Sequence, residues 1–240
     1  MDKKSTAAKP ANAAQEEKKS LTDKINEFFT KNRTAIFTVA GAILAVIVII
    51  GAYTLISNSI AENSSRAMEL TRTKLEQWGQ ESDETKKSEL EGAITADLDA
   101  IIKKWPRTFA AQHALFTKAG IATANKKWED AEKFALEAAT KLPKTYLAPI
   151  ALEAAAVAAE EQGKSDKALE YYQKYIKTYV SDTPGLAHAY FSLGRLAEAS
   201  SNWKDAIANY EKLTSDFAAS DWSKLAKDRL IYLKAQSLDK

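Results

Sequence analysis

Between Ala35 and Ile56 no charged residue interrupts the chain, and only Thr38, Tyr53 and Thr54 break an otherwise apolar and small-residue run. At about 1.5 Å per residue such a stretch reaches roughly 33 Å as a helix, enough to cross a bilayer core of about 30 Å. A buried helix of a soluble domain would carry a polar stripe, and this one has none. The run begins deeper in the chain and is longer than the apolar core of a secretory signal peptide. Ser59-Ile60-Ala61 loosely resembles a cleavage site, but processing is not expected. Gly41 and Ala45 have a small-xxx-small spacing that is common by chance in apolar helices and carries no weight.

On either side of the span the pattern changes. Residues 1–19 are charged, Ala-rich and aperiodic, which predicts a disordered cytoplasmic tail. Over 20–34, Ser20 and Asp23 form a capping-box pair, and Leu21, Ile25, Phe28 and Phe29 share one face, predicting an amphipathic juxtamembrane helix. Beyond the span, Met68, Leu75 and Trp78 continue a helical spacing. Gly79 to Ser88 reads as a loop. Leu90, Ile94, Leu98, Ile101 and Ile102 then repeat at helical intervals until Trp105-Pro106 ends the helix.

From Pro106 onward the sequence resembles itself. KKWEDAEKFALEAATKLP at Lys126, GKSDKALEYYQKYIKTYV at Gly163 and SNWKDAIANYEKLTSDFA at Ser201 align, with Ala131, Ala168 and Ala206 at steps of 37 and 38 residues. The preceding helices, beginning near Gln112, Pro149 and Ala187, keep the same offsets. Two helices per unit at this period predict an α-solenoid, in which one unit cannot bury its apolar face alone. The expected organisation is a helical linker and degenerate first repeat over 57–106, three repeats over 107–219, and a capping helix over 220–240 carrying Trp222, Leu225, Leu230 and Leu233. The alternative to this all-α solenoid is an irregular helical bundle.

Within the last unit Tyr190, Leu193, Gly194, Ala206 and Tyr210 follow the order of the tetratricopeptide repeat; Leu152, Ala156, Ala168 and Tyr172 follow it in the middle unit, and Leu115, Ala119, Ala131 and Pro143 in the first. The first unit has Ala135 where that pattern has an aromatic, and only the last keeps Leu-Gly. At the scale of the whole chain, with INEFFTKNRTAIFTVAGAIL from Ile25 to Leu44 as the nearest stretch, the sequence resembles the membrane-anchored tetratricopeptide proteins of the bacterial envelope, in particular the family of the ancillary subunit of the Sec translocon. That resemblance implies an accessory role beside the translocon, passing secreted proteins to periplasmic chaperones. It also places His113, Phe116, Ile150, Glu153, His188, Phe191 and Arg195 on the inner groove lined by first helices, where exposed phenylalanines would hold an extended or helical peptide. Alternatively, Phe116 and Phe191 are ordinary packing between helices.

Charge adds orientation. Of the net +2, residues 1–34 hold eight Lys or Arg against five Asp or Glu, leaving −1 for the rest. Lys18, Lys19, Lys24, Lys31 and Arg33 precede the span, while Arg66, Arg72 and Lys74 follow it. This bias favours a cytoplasmic N-terminus and a periplasmic C-terminal domain, as a single-pass protein of a bacterial inner membrane. No basic footprint for nucleic acid follows the anchor. Cysteine is absent, which removes disulfides, thiol nucleophiles and cysteine metal sites.

Little in the chain suggests an enzyme or a cofactor. His113 and His188 occupy equivalent places two units apart, too far for a shared metal, so repeat inheritance explains them. Glu160-Glu161 and Glu129-Asp130 read as solvated helix-end charges, and no phosphate loop, GxSxG or HExxH occurs. No small-molecule substrate is expected. A cytosolic receptor for chaperone tails would need a Lys, Asn and Arg clamp where this chain has Phe116 and Gly120. The expected function is protein binding, with a structural scaffold subunit of an envelope assembly, such as a motor collar or division complex, as the alternative.

Overall fold

The computed structural model describes residues 21–179, 183 and 185–236. The expected disordered tail, the Ser20 cap and the last residues of the capping segment lie outside them. The described chain forms ten helices and no strand. It divides into two compact units, Met1–Ile56 and Ser57–Lys240.

The first unit contains α1 (Leu21–Lys31) and the apolar beginning of α2 (Arg33–Gln80). In α1 Leu21, Ile25, Phe28 and Phe29 are all exposed, and the two phenylalanine rings meet edge to face at 6.1 Å. The apolar residues of α2 from Phe37 to Ile56 are likewise exposed; by length and composition the helix can cross a membrane.

In the second unit, the remainder of α2 pairs with α3 (Glu84–Lys104) through Met68, Ile94, Leu98 and Ile101. The expected loop from Gly79 to Ser88 is shorter than the sequence suggested. Helix α2 runs on to Gln80, and the Asp83 carboxylate accepts hydrogen bonds from the Thr85 and Lys86 amides, so α3 starts at Glu84. An N-cap satisfies amides that would otherwise be orphaned, which is why a polar run can still open a helix. Three helix pairs follow: α4 (Phe109–Ala124) with α5 (Trp128–Lys141), α6 (Leu147–Glu161) with α7 (Ser165–Thr178), and α8 (Leu186–Ala199) with α9 (Trp203–Asp216). Helix α10 (Asp221–Ala235) ends the array.

The turn inside each pair is the same backbone motif. Lys126, Gly163 and Ser201 take positive φ of 56°, 70° and 57°. The amides of Lys127, Lys164 and Asn202 then donate to the carbonyls of Ala122, Ala159 and Ala197 at 2.8, 2.9 and 2.8 Å. This is the helix-ending pattern that consumes the last free carbonyls, and it favours glycine at the left-handed position. Only the middle unit supplies one.

Alanine sets how closely the helices stack. Helix α6 buries Ala151, Leu152, Ala155, Ala156 and Ala159, and lies between α5 and α7 in one continuous core with Tyr172 and Tyr175. In the last pair, the fully buried Tyr210 ring lies directly on the backbone of α8 at Gly194, where an added Cβ would collide with it. The missing aromatic of the first pair is matched by small residues on both helices, Ala119 and Ala135, and both are buried.

Two tests follow. Tyr210→Ala should lower stability by about 3–5 kcal/mol through the cavity it leaves, and Gly194→Ala should also destabilise. Ser201→Gly should instead raise the melting temperature, since a left-handed non-glycine residue costs about 1–2 kcal/mol. Thermal unfolding followed by circular dichroism measures all three.

Candidate functional site

The first helices carry recurring outward positions, and the structure joins them most densely where α6, α8 and α10 meet. Glu153 on α6 lies 2.5 Å from His188 Nδ1 on α8. The His188 ring packs edge-on against Tyr172 at 6.1 Å and against Trp222 of α10 at 4.4 Å, and Phe191 reaches the same Trp222 ring at 5.2 Å. Gly185, at φ 92°, begins α8 pressed against Glu153 and Tyr175; a Cβ there would come within 2.6 Å of both side chains.

A second arrangement recurs one helical turn or more further along. Tyr172 donates its hydroxyl to Glu160 at 2.9 Å, and Tyr210 donates to Glu198 at 2.8 Å. In each case an arginine from the next first helix completes the bridge: Arg195 pairs with Glu160, and Arg229 bonds Glu198 through Nε at 3.1 Å and through Nη2 at 2.5 Å. Glu160 is therefore not the solvated helix-end charge the sequence suggested, because the stack brings a tyrosine and an arginine to it. Glu129 and Asp130 are exposed at the start of α5.

Between the first two pairs the join is different. Gln112, fully buried, donates to the carbonyls of Ala138 and Leu142 and accepts from Thr145. Glu132 is buried where Tyr171 donates at 2.9 Å and Gln162 at 2.8 Å, with Lys164 and Lys167 nearby. Burial alone would raise the Glu132 carboxyl, but the bonds from Gln162, Tyr171 and Lys167 hold it below the ordinary carboxylate value. Burial, with the Glu132 charge added, pushes Tyr171 up to about 12. Glu198 behaves as Glu132 does: burial opposes ionisation, and the bonds from Arg229 and Tyr210 outweigh it.

His113 lies apart from this cluster, stacked on Phe109 at 6.1 Å with Tyr146 beyond it at 5.5 Å, and burial lowers its pKa. Ile150 is 40% exposed. Phe116 and Phe191 are both partly buried against the core, Phe191 with the Tyr210 ring at 5.7 Å and the Trp222 ring at 5.2 Å, so each combines interhelical packing with some open surface. Trp222 and Tyr232 belong beside the expected groove residues, although the repeat alignment did not reach them. Tyr232 lines a hollow of about 540 Å³ with Phe191, Arg195, Trp203 and Arg229. The signal was the aromatic content of α10, which reads equally well as a cap.

Glu153, His188 and Ser192 stand in a row, with Ser192 Oγ 3.3 Å from His188 Nε2. This order of groups activates nucleophiles in hydrolases. Here Ser192 is 1% exposed, so no substrate can reach its hydroxyl, and the row orients the His188 ring. Among the described residues no cluster of three or more His, Asp or Glu could hold a metal ion.

Turns of one backbone motif, alternating helices and a ring filling a backbone gap describe a helix-pair repeat, and comparison with known proteins matches its middle pair. The tetratricopeptide repeat family matches residues 151–181. The paired helices are tetratricopeptide-like repeats. A TPR repeat-containing protein of Treponema pallidum (strain Nichols) is 33% identical over 142 residues, covering 59% of this chain and 59% of that protein. Neither match indicates a catalytic family. Repeats of this kind serve as protein-interaction modules on their extended faces.

Because Glu132 and Glu198 have lowered folded-state pKa values, the stability they contribute is complete above the unfolded carboxyl value of 4.5 and is lost as pH falls through the lower folded values. Glu198→Gln should flatten that acid limb of the stability curve while lowering stability at neutral pH, measured by urea unfolding from pH 3 to 7.

Proposed function

We propose that this chain is a membrane-anchored protein-binding module whose 35–56 segment spans a bacterial inner membrane, with the N-terminus cytoplasmic and the repeats periplasmic. It serves as an accessory factor at the Sec translocon, passing secreted proteins to periplasmic chaperones. The observation that carries the binding role is the face of the first helices, where rings stay accessible beyond what the core uses: Phe116, Phe191 and Trp222 each keep part of their surface open beside paired charges. Aromatic side chains set in such surroundings supply most of the contact energy in protein interfaces. The lysine bias before the span supports the orientation, and the exposed apolar face of α1 supports its lying on the membrane surface.

The scaffold reading has one observation of its own. On α10 Ile231 is 69% exposed at the place equivalent to the covered Gly194 of α8, so the end of the stack could seat a fixed partner. Mild-detergent copurification separates the two: a scaffold brings one stoichiometric protein, a client binder a mixed set.

Photo-crosslinking from positions 116 and 191 in intact cells tests the proposal, with position 174 on the exposed face of α7 as reference. Translocon subunits, chaperones or nascent secreted chains should dominate adducts from 116 and 191. Equal labelling from 174, or no adduct at either groove position, would contradict binding by this face.

A further inference from the structure

Two of the turns between helix pairs repeat each other residue by residue. Lys104-Trp105-Pro106-Arg107-Thr108-Phe109 and Lys141-Leu142-Pro143-Lys144-Thr145-Tyr146 stand 37 residues apart, each in the order lysine, apolar residue, proline, cation, threonine, ring. The fold uses the threonines: Thr108 accepts from the Ala111 amide at the start of α4, and Thr145 donates to Gln112. It makes little use of the cations and rings. Arg107 and Lys144 are exposed, Phe109 is 38% and Tyr146 71% exposed, and the two rings lie 5.5 Å apart.

This edge of the repeat unit carries a positive charge that its own acids do not balance. Among the described residues no carboxylate pairs with Lys103, Lys104, Arg107, Lys141 or Lys144. The acids of the neighbouring helices are occupied: Asp97 holds Lys74, Asp99 holds Lys118, and Glu69 holds Arg72, while Arg66 offsets Glu62. Lys174 and Lys177 at the end of α7 add the same sign, and only Glu137 and Glu170, one turn back on α5 and α7, oppose them. The last such turn is neutral, with Lys212 on Asp216 and Lys224 on Asp221. At the opposite edge the turns inside the pairs mix both signs, as where Glu129 and Asp130 follow Lys126 and Lys127.

The basic edge is also the one at which α2 enters the repeat unit. Helix α3 runs antiparallel to α2: Lys87 lies over the Trp78 ring and Lys74 bonds Asp97, while Ala67 and Leu70 line one hollow with Lys104 and Trp105. The turn from Lys103 to Arg107 is therefore level with the stretch of α2 about ten residues beyond Ser57, roughly 15 Å along the helix from the end of the apolar run. Headgroups extend about 5–8 Å beyond the hydrocarbon, and a charged surface is felt for about 8–10 Å more. Alternation of the helices returns the turn between α5 and α6 to the same edge.

Resting on the membrane-anchored reading above, we propose that the edge formed by the α3–α4 and α5–α6 turns is a docking surface for the anionic phospholipid headgroups of the membrane that α2 leaves. Arg107, Lys144 and the lysines beside them meet lipid phosphates, and Tyr146 lies among the headgroups, where amphipathic rings settle.

The chain contains no cysteine, so single introduced thiols can be labelled with a fluorophore. Thr140→Cys marks the basic edge, Glu161→Cys the opposite edge and Ser57→Cys the end of the span, all at exposed positions. The full chain is reconstituted in vesicles of phosphatidylcholine, with or without phosphatidylglycerol, that contain a lipid with a nitroxide headgroup. The label at 140 should be quenched at least about threefold more with phosphatidylglycerol than without, lose that gain at high salt, and exceed the label at 161 throughout. Arg107→Glu together with Lys144→Glu should abolish the gain with the melting curve unchanged. Equal quenching at 140 and 161, no response to phosphatidylglycerol, or indifference to the charge reversal overturns the proposal. A label at 140 that ignores lipid but responds to soluble polyglutamate overturns it in favour of an acidic protein partner. Quenching at 57 separates the two readings: present without quenching at 140, it leaves the anchor standing and removes the docking edge; absent, it removes both.

Discussion

An α-helical pair in this chain has more apolar surface than its own two helices can cover. Helix α6 is the clearest case: it buries alanine and leucine on the side of α5 and on the side of α7, and polar residues are left only along a narrow outward strip. Everything else follows from that constraint. Alanine is required because two neighbours must approach the same helix closely, and tyrosine is required because the gaps left by alanine must be filled. Tyr172, Tyr175 and Tyr210 are each fully buried, and each belongs to the second helix of its pair.

Burying a phenol raises a second demand, a partner for the hydroxyl. Tyr172 and Tyr210 meet it with Glu160 and Glu198, whose own burial is compensated by Arg195 and Arg229 from the following helix. The same bonds that satisfy the core thus place arginine and glutamate on the outward face and tie each unit to the next. The paired charges of the face are a product of how the core is filled, while Trp222, Leu225 and Tyr232 are not needed by that core.

Periodicity made the architecture legible. Trp128, Ser165 and Trp203 share an offset and each begins a second helix, and the apolar run after Arg33 reads directly as a helix able to cross a membrane. Less was legible where a local bond or the stack decides. Asp83 shortens the loop before α3 by capping, which a run of polar residues conceals. Glu160 looked like a solvated helix end because its partners, Tyr172 and Arg195, lie 12 and 35 residues away. Trp222 and His188 come together only once α10 has packed on α8 and α9, so no single segment announced their contact.

If the units share one core, a defect in one must be felt in its neighbours. Hydrogen exchange of the full chain in nanodiscs, read by mass spectrometry for the parent and for Tyr172→Ala, addresses this directly. Slowest exchange in α6 and α7 of the parent, with faster exchange in α6, α7 and α8 of the variant, is the predicted result. Acceleration confined to α7, with α6 and α8 unchanged, would show that the pairs fold as independent units and would contradict the account.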